Sequence, residues 1–235
     1  MGLAVGSHHL NADRRRTLAT LFDALYAGFG VVIVVVLVVT VAIGVRRSDA
    51  GAAIAAIGFS LVLVAGVGFN ALLRSGQITD LAFLQIHFPI FYLGFALILA
   101  GADRVLGVRR RVGWLLYLLA SVVATVYLLT PSLASYATAG DTVRVSQQVI
   151  FYLPLFVGIA LIAIASYRAR NWAFEAFALL VLAGVIRESG AIPSFGDAYL
   201  DLLGAFVPFT LAALCLAALA WSRGAVESSP ARHVG

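Results

Sequence analysis

The stretch LAFLQIHFPIFYLGFALILAGA, residues 81–102, decides the fold class of this chain. It contains no Asp, Glu, Lys or Arg, and a helix needs about 20 mostly apolar residues to cross the hydrocarbon core of a bilayer. Lipid offers no hydrogen-bond partner to the backbone, so a segment that crosses it has to be helical. Residues 81–102 therefore predict a transmembrane helix.

The rest of the chain has the same composition. Of its 235 residues, 62% are hydrophobic and 11% are charged, whereas soluble domains carry about 25% charged residues. Six further stretches that are free or nearly free of charge each predict a helix across the membrane. With residues 81–102 in third place, they are Ala24–Val45, Ala50–Leu73, Val112–Gly140, Val145–Arg168, Ala176–Ile186 and Leu202–Ser222.

These segments predict an all-α fold, a polytopic transmembrane bundle of seven helices. The sixth helix is long enough only if it begins near Asn171 and includes Glu175 in its first turn, where the helix dipole favours an anion. A loop rich in Ser, Thr, Ala and Gly is expected at residues 132–146. The organisation is a polar N-terminal tail at residues 1–17, the seven-helix domain at 18–223 and a C-terminal tail at 224–235.

The arginines predict the orientation, because cytoplasmic loops of membrane proteins carry an excess of basic residues. All 16 basic residues are Arg, and there is no Lys. One side of the bundle collects Arg46, Arg47, Arg104, Arg109, Arg110, Arg111, Arg168, Arg170, Arg223 and Arg232. The other side collects Arg14, Arg15, Arg16, Arg74, Arg144 and Arg187. This distribution predicts a multi-pass protein of the cell membrane with the N-terminus outside and the C-terminus in the cytoplasm, although the triplet at residues 14–16 argues for the reverse.

Charge and length also bear on partners. The net charge of +5 comes from arginines beside apolar runs rather than from a basic stripe, so it indicates the lipid bilayer, and not nucleic acid, as the partner. The cytoplasmic tail is short, so a sensor of this kind would need a membrane partner subunit, or a second copy of itself, to transmit a signal.

Polar side chains gather in the outer halves of the predicted helices. Ionisable residues within a span usually face a bundle interior or a water-filled cavity. Asp80 and His87 are seven residues apart and share one side of their helix, and Asp197 and Asp201 are four apart. The two interpretations are a polar pocket that opens outward and ordinary interfacial residues at helix ends. The candidate ligand-binding residues are His87, Asp80, Arg187, Glu188, Asp197 and Asp201.

His87 has three interpretations: a hydrogen-bonded packing residue, a proton or ligand contact, and a metal ligand. Bis-His haem is disfavoured because the other histidines lie in the tails, and a His–Met pair fails because the only methionine is Met1. A metal site would need carboxylates that show no ligand spacing. We therefore predict no metal and no cofactor. The sequence also contains no nucleophile elbow, HExxH or Walker motif, so it assigns no catalytic residue and does not favour an enzyme.

The layout resembles that of microbial rhodopsins, which have seven helices, an outside N-terminus, short cytoplasmic turns and nearly this length. The turn RESGAIP at residues 187–193, followed by Asp197, resembles the outer acidic turn before the last helix of that family. The run Leu84–Phe95 around His87 falls where the family carries its counter-ion segment. The chain departs from the family at Gly204–Leu214, which contains no lysine for a retinal Schiff base. The resemblance therefore implies an opsin-like scaffold without the pigment.

Four functional classes follow from these observations, the fourth being a membrane enzyme that acts on lipid substrates with Asp197 and Asp201 as an acid pair, for which no diagnostic motif is present. The first is a seven-helix protein that binds a small ligand, or senses through one, in an outer-half polar pocket. The second is a transporter or proton channel, which needs polar groups that continue through the inner half. The third is a membrane anchor subunit of a respiratory complex, in which His87 or the outer acids would contact a quinone headgroup.

Overall fold

Every regular element in the described part of the chain is helical in the computed structural model, and that part contains no strand, so the predicted all-α fold class is confirmed. The structure describes residues 28, 30–46, 50–69, 72, 76–108, 111–130, 141–188 and 198–227. Side chains are described in the same ranges except at 67, 68, 141–146, 188, 198–203, 205, 206 and 222–227. The predicted tail at 1–17, and residues 228–235 of the other predicted tail, lie outside these ranges.

In the described ranges, seven α-helices follow one another. Their bounds are α1 Gly30–Arg46, α2 Ala50–Leu63, α3 Asp80–Leu106, α4 Arg111–Leu128, α5 Asp141–Arg168, α6 Trp172–Glu188 and α7 Ala198–Glu227. A π-helical segment, Val64–Phe69, continues α2.

Local side-chain chemistry explains several helix ends. The Thr79 hydroxyl accepts a hydrogen bond from the Ala82 backbone N–H at 3.2 Å and caps the start of α3. Gly107 ends α3 in the left-handed conformation, at φ 65°, which glycine adopts without steric cost. The Asn171 side chain accepts from the Phe174 N–H at 3.2 Å, and Glu175 lies in the first turn of α6. The sixth helix therefore begins where the sequence predicts.

Three boundaries differ from the sequence expectation. The last part of the expected loop at 132–146 is helical, because α5 begins at Asp141. The third helix extends four residues past its charge-free stretch, to Leu106, and then stops at the left-handed Gly107, within the segment 103–111 where the sequence requires a break. The expected C-terminal tail begins as helix, because α7 continues to Glu227.

Consecutive helices run antiparallel, so the helix ends alternate between the two ends of the bundle. At one end of the α3–α4 pair, the Trp114 indole N–H donates to the Asp103 carboxylate at 2.7 Å. At the other end of this pair, the Gln85 amide donates to the Leu128 carbonyl. The end that holds the last turns of α1, α3 and α5, here called the basic end, carries five exposed arginines: Arg46, Arg104, Arg111, Arg168 and Arg170. The three tryptophans of the chain, Trp114, Trp172 and Trp221, lie at this same end.

The tightest contact in the bundle is a glycine seam between α2 and α3, formed by Gly51 and Gly58 facing Gly101 and Gly94. A Cβ added at Gly94 would lie 2.7 Å from the Gly58 carbonyl oxygen, and one added at Gly101 would lie 2.5 Å from the Gly51 carbonyl oxygen. Backbones approach this closely only where side chains are absent, which is the usual packing device of membrane helices. The seam fixes the antiparallel register of α2 and α3.

The outward faces of the helices are apolar. On α4, Val112, Leu115, Leu119 and Val126 are all more than half exposed, whereas Tyr117 is buried. An exposed apolar surface of this extent is typical of contact with lipid. Three helices are long and apolar enough to cross a membrane: α3, α4 and the Gln147–Arg168 part of α5. Three shorter helical stretches are also apolar, namely Gly30–Arg46, Ala50–Gly66 and Val207–Trp221. The fold is therefore that of an α-helical membrane protein.

A methyl group at the glycine seam should weaken the fold. We expect Gly58→Ala to lower the free energy of unfolding by about 1–3 kcal/mol, because its Cβ would lie 2.5 Å from the Gly94 carbonyl oxygen. Gly66→Ala on the same helix is the matched control, since its Cβ would meet Phe91 at an ordinary 3.6 Å. Thermal unfolding of both variants in lipid nanodiscs measures the difference. Equal stability of the two variants would contradict the seam.

Candidate functional site

The structure describes the side chains of three of the six candidate residues, His87, Asp80 and Arg187, and His87 is the most deeply buried of the three. It is 2% exposed, two turns below the start of α3. Its ring stacks on Phe83 with the centroids 4.6 Å apart, lies 4.3 Å from the Phe91 ring and meets the edge of Phe88 at 5.1 Å. Three aromatic rings therefore hold the imidazole in place.

One polar contact joins this histidine to the neighbouring helix. The His87 Nδ1–H donates to the Ala65 carbonyl at 3.0 Å. The carbonyl can only accept, so the proton lies on Nδ1, and in the neutral ring Nε2 is then an acceptor. Ala65 belongs to the π-helical segment Val64–Phe69, and π-helical turns are rare and often lie at functional sites. The sequence analysis did not predict this segment.

Asp80 has a different environment from His87. It is the first residue of α3, is exposed, and follows the Thr79 cap. A carboxylate in the first turn of a helix is stabilised by the positive end of the helix dipole. Since a distance of about 10 Å along the helix separates Asp80 from His87 at 1.5 Å per residue, the two side chains do not form one cluster. The described geometry supports the interfacial interpretation for Asp80.

Arg187 lies between two helices at the end opposite to the basic end. Its side chain crosses from α6 to α7, where its Nε is 3.2 Å from the position of a Cβ on Gly204. Asp201 precedes Gly204 by three residues, which places its backbone on the same face of α7. The Glu188 and Asp201 side chains, and the whole of Asp197, lie outside the described residues. Their predicted part in a pocket stays a prediction.

A buried chain of hydrogen bonds, which the sequence analysis did not predict, connects three helices beside the candidate site. The Tyr117 hydroxyl on α4 donates to the Tyr92 carbonyl on α3, and the Tyr92 hydroxyl donates to the Phe151 carbonyl on α5 at 2.8 Å. A tyrosine within an apolar span has to find an acceptor for its hydroxyl group. Tyr92 and Tyr117 were therefore the features of the sequence from which these hydrogen bonds could have been predicted. The chain ties α3 to its neighbours on the side away from α2.

Gln147 is a second buried polar residue that the candidate set omitted. It is 5% exposed, one turn before Phe151 on α5, and its Oε1 has no hydrogen-bond partner among the described residues. Phe151 packs on Phe88 with the centroids 5.3 Å apart, so Gln147 lies about one turn from the level of Phe88, toward the end opposite to the basic end. A buried amide oxygen of this kind is a ready acceptor for a hydroxyl or amine donor.

Three hydroxyl groups in the helices are engaged locally, whereas the buried Ser121 Oγ has no partner among the described residues. Thr40, Ser60 and Ser166 each donate to the carbonyl four residues earlier in their own helix, at 2.7–2.8 Å. Hydroxyls bonded in this way bend a helix slightly but offer no hydrogen atom to a passing solute. Within the described ranges, no group of three or more His, Cys, Asp or Glu residues is placed to hold a metal ion.

Comparisons with models of known protein families, with curated proteins and with solved structures find no match to this chain. The fold and the buried polar groups together define the class, an α-helical membrane protein with buried polar residues on α3 and α5. The likeness to microbial rhodopsins is neither supported nor contradicted by these comparisons and stays a prediction.

The bond between His87 and Ala65 should hold the π-helical segment in place. His87→Phe keeps a ring among Phe83 and Phe91 but removes the donor, so we expect faster amide hydrogen exchange at residues 64–69 and a loss of about 0.6–1.7 kcal/mol in stability. Tyr92→Phe is the matched control, because it removes a different interhelical bond. Exchange measured by mass spectrometry in nanodiscs should rise at 64–69 only in the first variant. The same rise in Tyr92→Phe would contradict this role.

Proposed function

We propose that the chain crosses the membrane seven times and binds a small ligand in its outer half, where the ligand is sensed through His87. The observation that carries this proposal is the hydrogen bond from His87 to Ala65. It joins a buried, titratable side chain on α3 to the π-helical segment of α2. A ligand that displaces or reorients the imidazole would alter the support of that segment. The signal would therefore travel along α2 toward the basic end, and from there to a partner subunit or a second copy of the chain.

The ligand class follows from the polar groups at this level. The buried Gln147 Oε1 accepts hydrogen bonds and has no partner among the described residues, so it favours a ligand with a hydroxyl or amine donor. Arg187, half-buried against α7, favours an acidic group on the same ligand or a carboxylate from Glu188, Asp197 or Asp201. Phe83 and Phe91 offer apolar faces that suit a flat ligand body.

The quinone-linked anchor role is a second candidate, and the same aromatic stack favours it. A quinone headgroup is flat and could lie beside the ring of Phe83 or Phe91. The quinone carbonyls, however, only accept hydrogen bonds. They cannot pair with the Gln147 Oε1, which is also an acceptor. A quinol, which carries hydroxyl donors, suits the site better than the oxidised quinone. The transporter or channel role is less favoured, because Thr40, Ser60 and Ser166 bond within their own helices.

The seven-span topology predicts which turns are accessible from each side. We start from Cys215→Ala, which removes the one cysteine of the chain. Ala169→Cys, between α5 and α6, should react with an impermeant maleimide only from the cytoplasmic side, because it lies at the basic end. Gln77→Cys, before α3, should react only from outside, and both positions are exposed in the structure. Labelling of intact cells and of inverted vesicles measures both. Reaction of the two cysteines from the same side would contradict the topology.

Ligand binding can be tested without a known ligand. The purified protein in nanodiscs is incubated with the small-molecule fraction of its host cells and with a short-chain quinol, washed, and analysed by mass spectrometry of the released compounds. We expect the wild type and Tyr92→Phe to retain at least one compound. The retained amount of that compound should be at least about tenfold lower in His87→Phe and in Gln147→Leu. Absence of any retained compound that depends on His87 would contradict the proposal. Retention of the quinol alone would favour the anchor role.

A further inference from the structure

A cleft at the basic end lies apart from His87 and from the outer polar residues. It opens between the first turn of α4 and the last turns of α5 and has a volume of about 510 Å³, within the usual range for small-molecule sites. Two arginines line it, Arg111 at the start of α4 and Arg168 at the end of α5, and both are exposed. The other residues that line the cleft are all apolar.

Small residues keep this cleft open. Nearer the centre of the membrane, α4 and α5 are in contact, because the Tyr117 ring lies 3.2 Å from the position of a Cβ on Gly158. Toward the basic end, the facing residues are Gly113 and Ala165, which are buried but too small to fill the space between the helices. The cleft is therefore a consequence of small residues on both helices.

The cleft has a charged mouth and an apolar floor. Leu161 precedes Arg168 by seven residues, so the floor extends about 10 Å below the guanidinium at 1.5 Å per residue. Ile164, which is 52% exposed, lies between them. Two exposed aromatic residues, Tyr167 and Trp172, lie at the level of the mouth, and aromatic residues of this kind mark the headgroup region of a bilayer.

We propose that this cleft binds one anionic phospholipid, with the phosphate between Arg111 and Arg168 and one acyl chain along Leu161 and Ile164. Charge complementarity supports this occupant, because basic pockets between membrane helices at the cytoplasmic side bind anionic headgroups. The backbone N–H groups at the start of α4 add to the attraction, since the amino end of a helix favours an anion. A free phosphate would use the two arginines but would leave the apolar floor without a role. This site is independent of the ligand proposed near His87.

Native mass spectrometry of the detergent-solubilised full chain, titrated with phosphatidylglycerol or phosphatidylcholine, tests the proposal. We expect one phosphatidylglycerol per chain on the wild type, bound at least about tenfold more tightly than phosphatidylcholine. Arg111→Gln combined with Arg168→Gln should weaken phosphatidylglycerol binding by about 10- to 30-fold, because each basic residue near the headgroups contributes on the order of a fivefold change in affinity. Ile164→Gln, which keeps both arginines, should weaken it severalfold.

The matched control removes the same charge elsewhere. Arg46→Gln combined with Arg104→Gln changes two exposed arginines of the basic end that do not line the cleft, and we expect it to bind as the wild type does. Equal losses in the two double variants would overturn the proposal in favour of a diffuse charge effect. Displacement of the lipid by millimolar inorganic phosphate, or unchanged binding in Ile164→Gln, would overturn it in favour of a free-anion site.

Discussion

The close approach of α2 and α3 is the constraint on which the rest of the structure depends. Lipid is as apolar as the side chains that face it, so membrane helices associate through packing contacts rather than through exclusion of water. Gly51, Gly58, Gly94 and Gly101 allow the two backbones to come into contact. Only at this short distance does the Ala65 carbonyl come within 3.0 Å of the His87 imidazole. Bulkier residues in the seam would separate the two helices and break the hydrogen bond between Ala65 and His87.

Hydropathy was sufficient to predict the fold class and the order of the helices, because each apolar run must form its own backbone hydrogen bonds in lipid. It also placed the start of α6 at Asn171, since an amide cap and an early glutamate are local signals. The π-helical segment Val64–Phe69 was not predictable in this way. Both an α-helical turn and a π-helical turn satisfy the backbone with internal hydrogen bonds, so apolar composition does not distinguish them.

The candidate site was less predictable than the fold, because its residues are brought together by packing between helices. The sequence singled out His87 correctly as a residue buried within a span, but its partner lies 22 positions away on another helix. By its spacing Asp80 shares a helical face with His87. Asp80 directly follows the Thr79 cap, however, so it is a residue of the helix end. Gln147 is not among the candidate residues, because nothing in the sequence shows that packing buries its amide oxygen without a partner among the described residues.

The middle of the bundle separates its two chemically distinct ends. About 9 Å below Ala65 along α2, Phe59 packs on Phe177 of α6 at 5.3 Å and on Phe209 of α7 at 6.3 Å. Phe59 and Phe177 are fully buried, so this layer contains apolar rings where a solute path would need polar groups. In the described part of the chain, an apolar layer of packed rings therefore lies between His87 and the arginines of the basic end. Under the proposed sensing role, a movement of α2 is the most direct route from His87 to the basic end, because this helix carries Phe59 and continues into the segment that holds the Ala65 carbonyl.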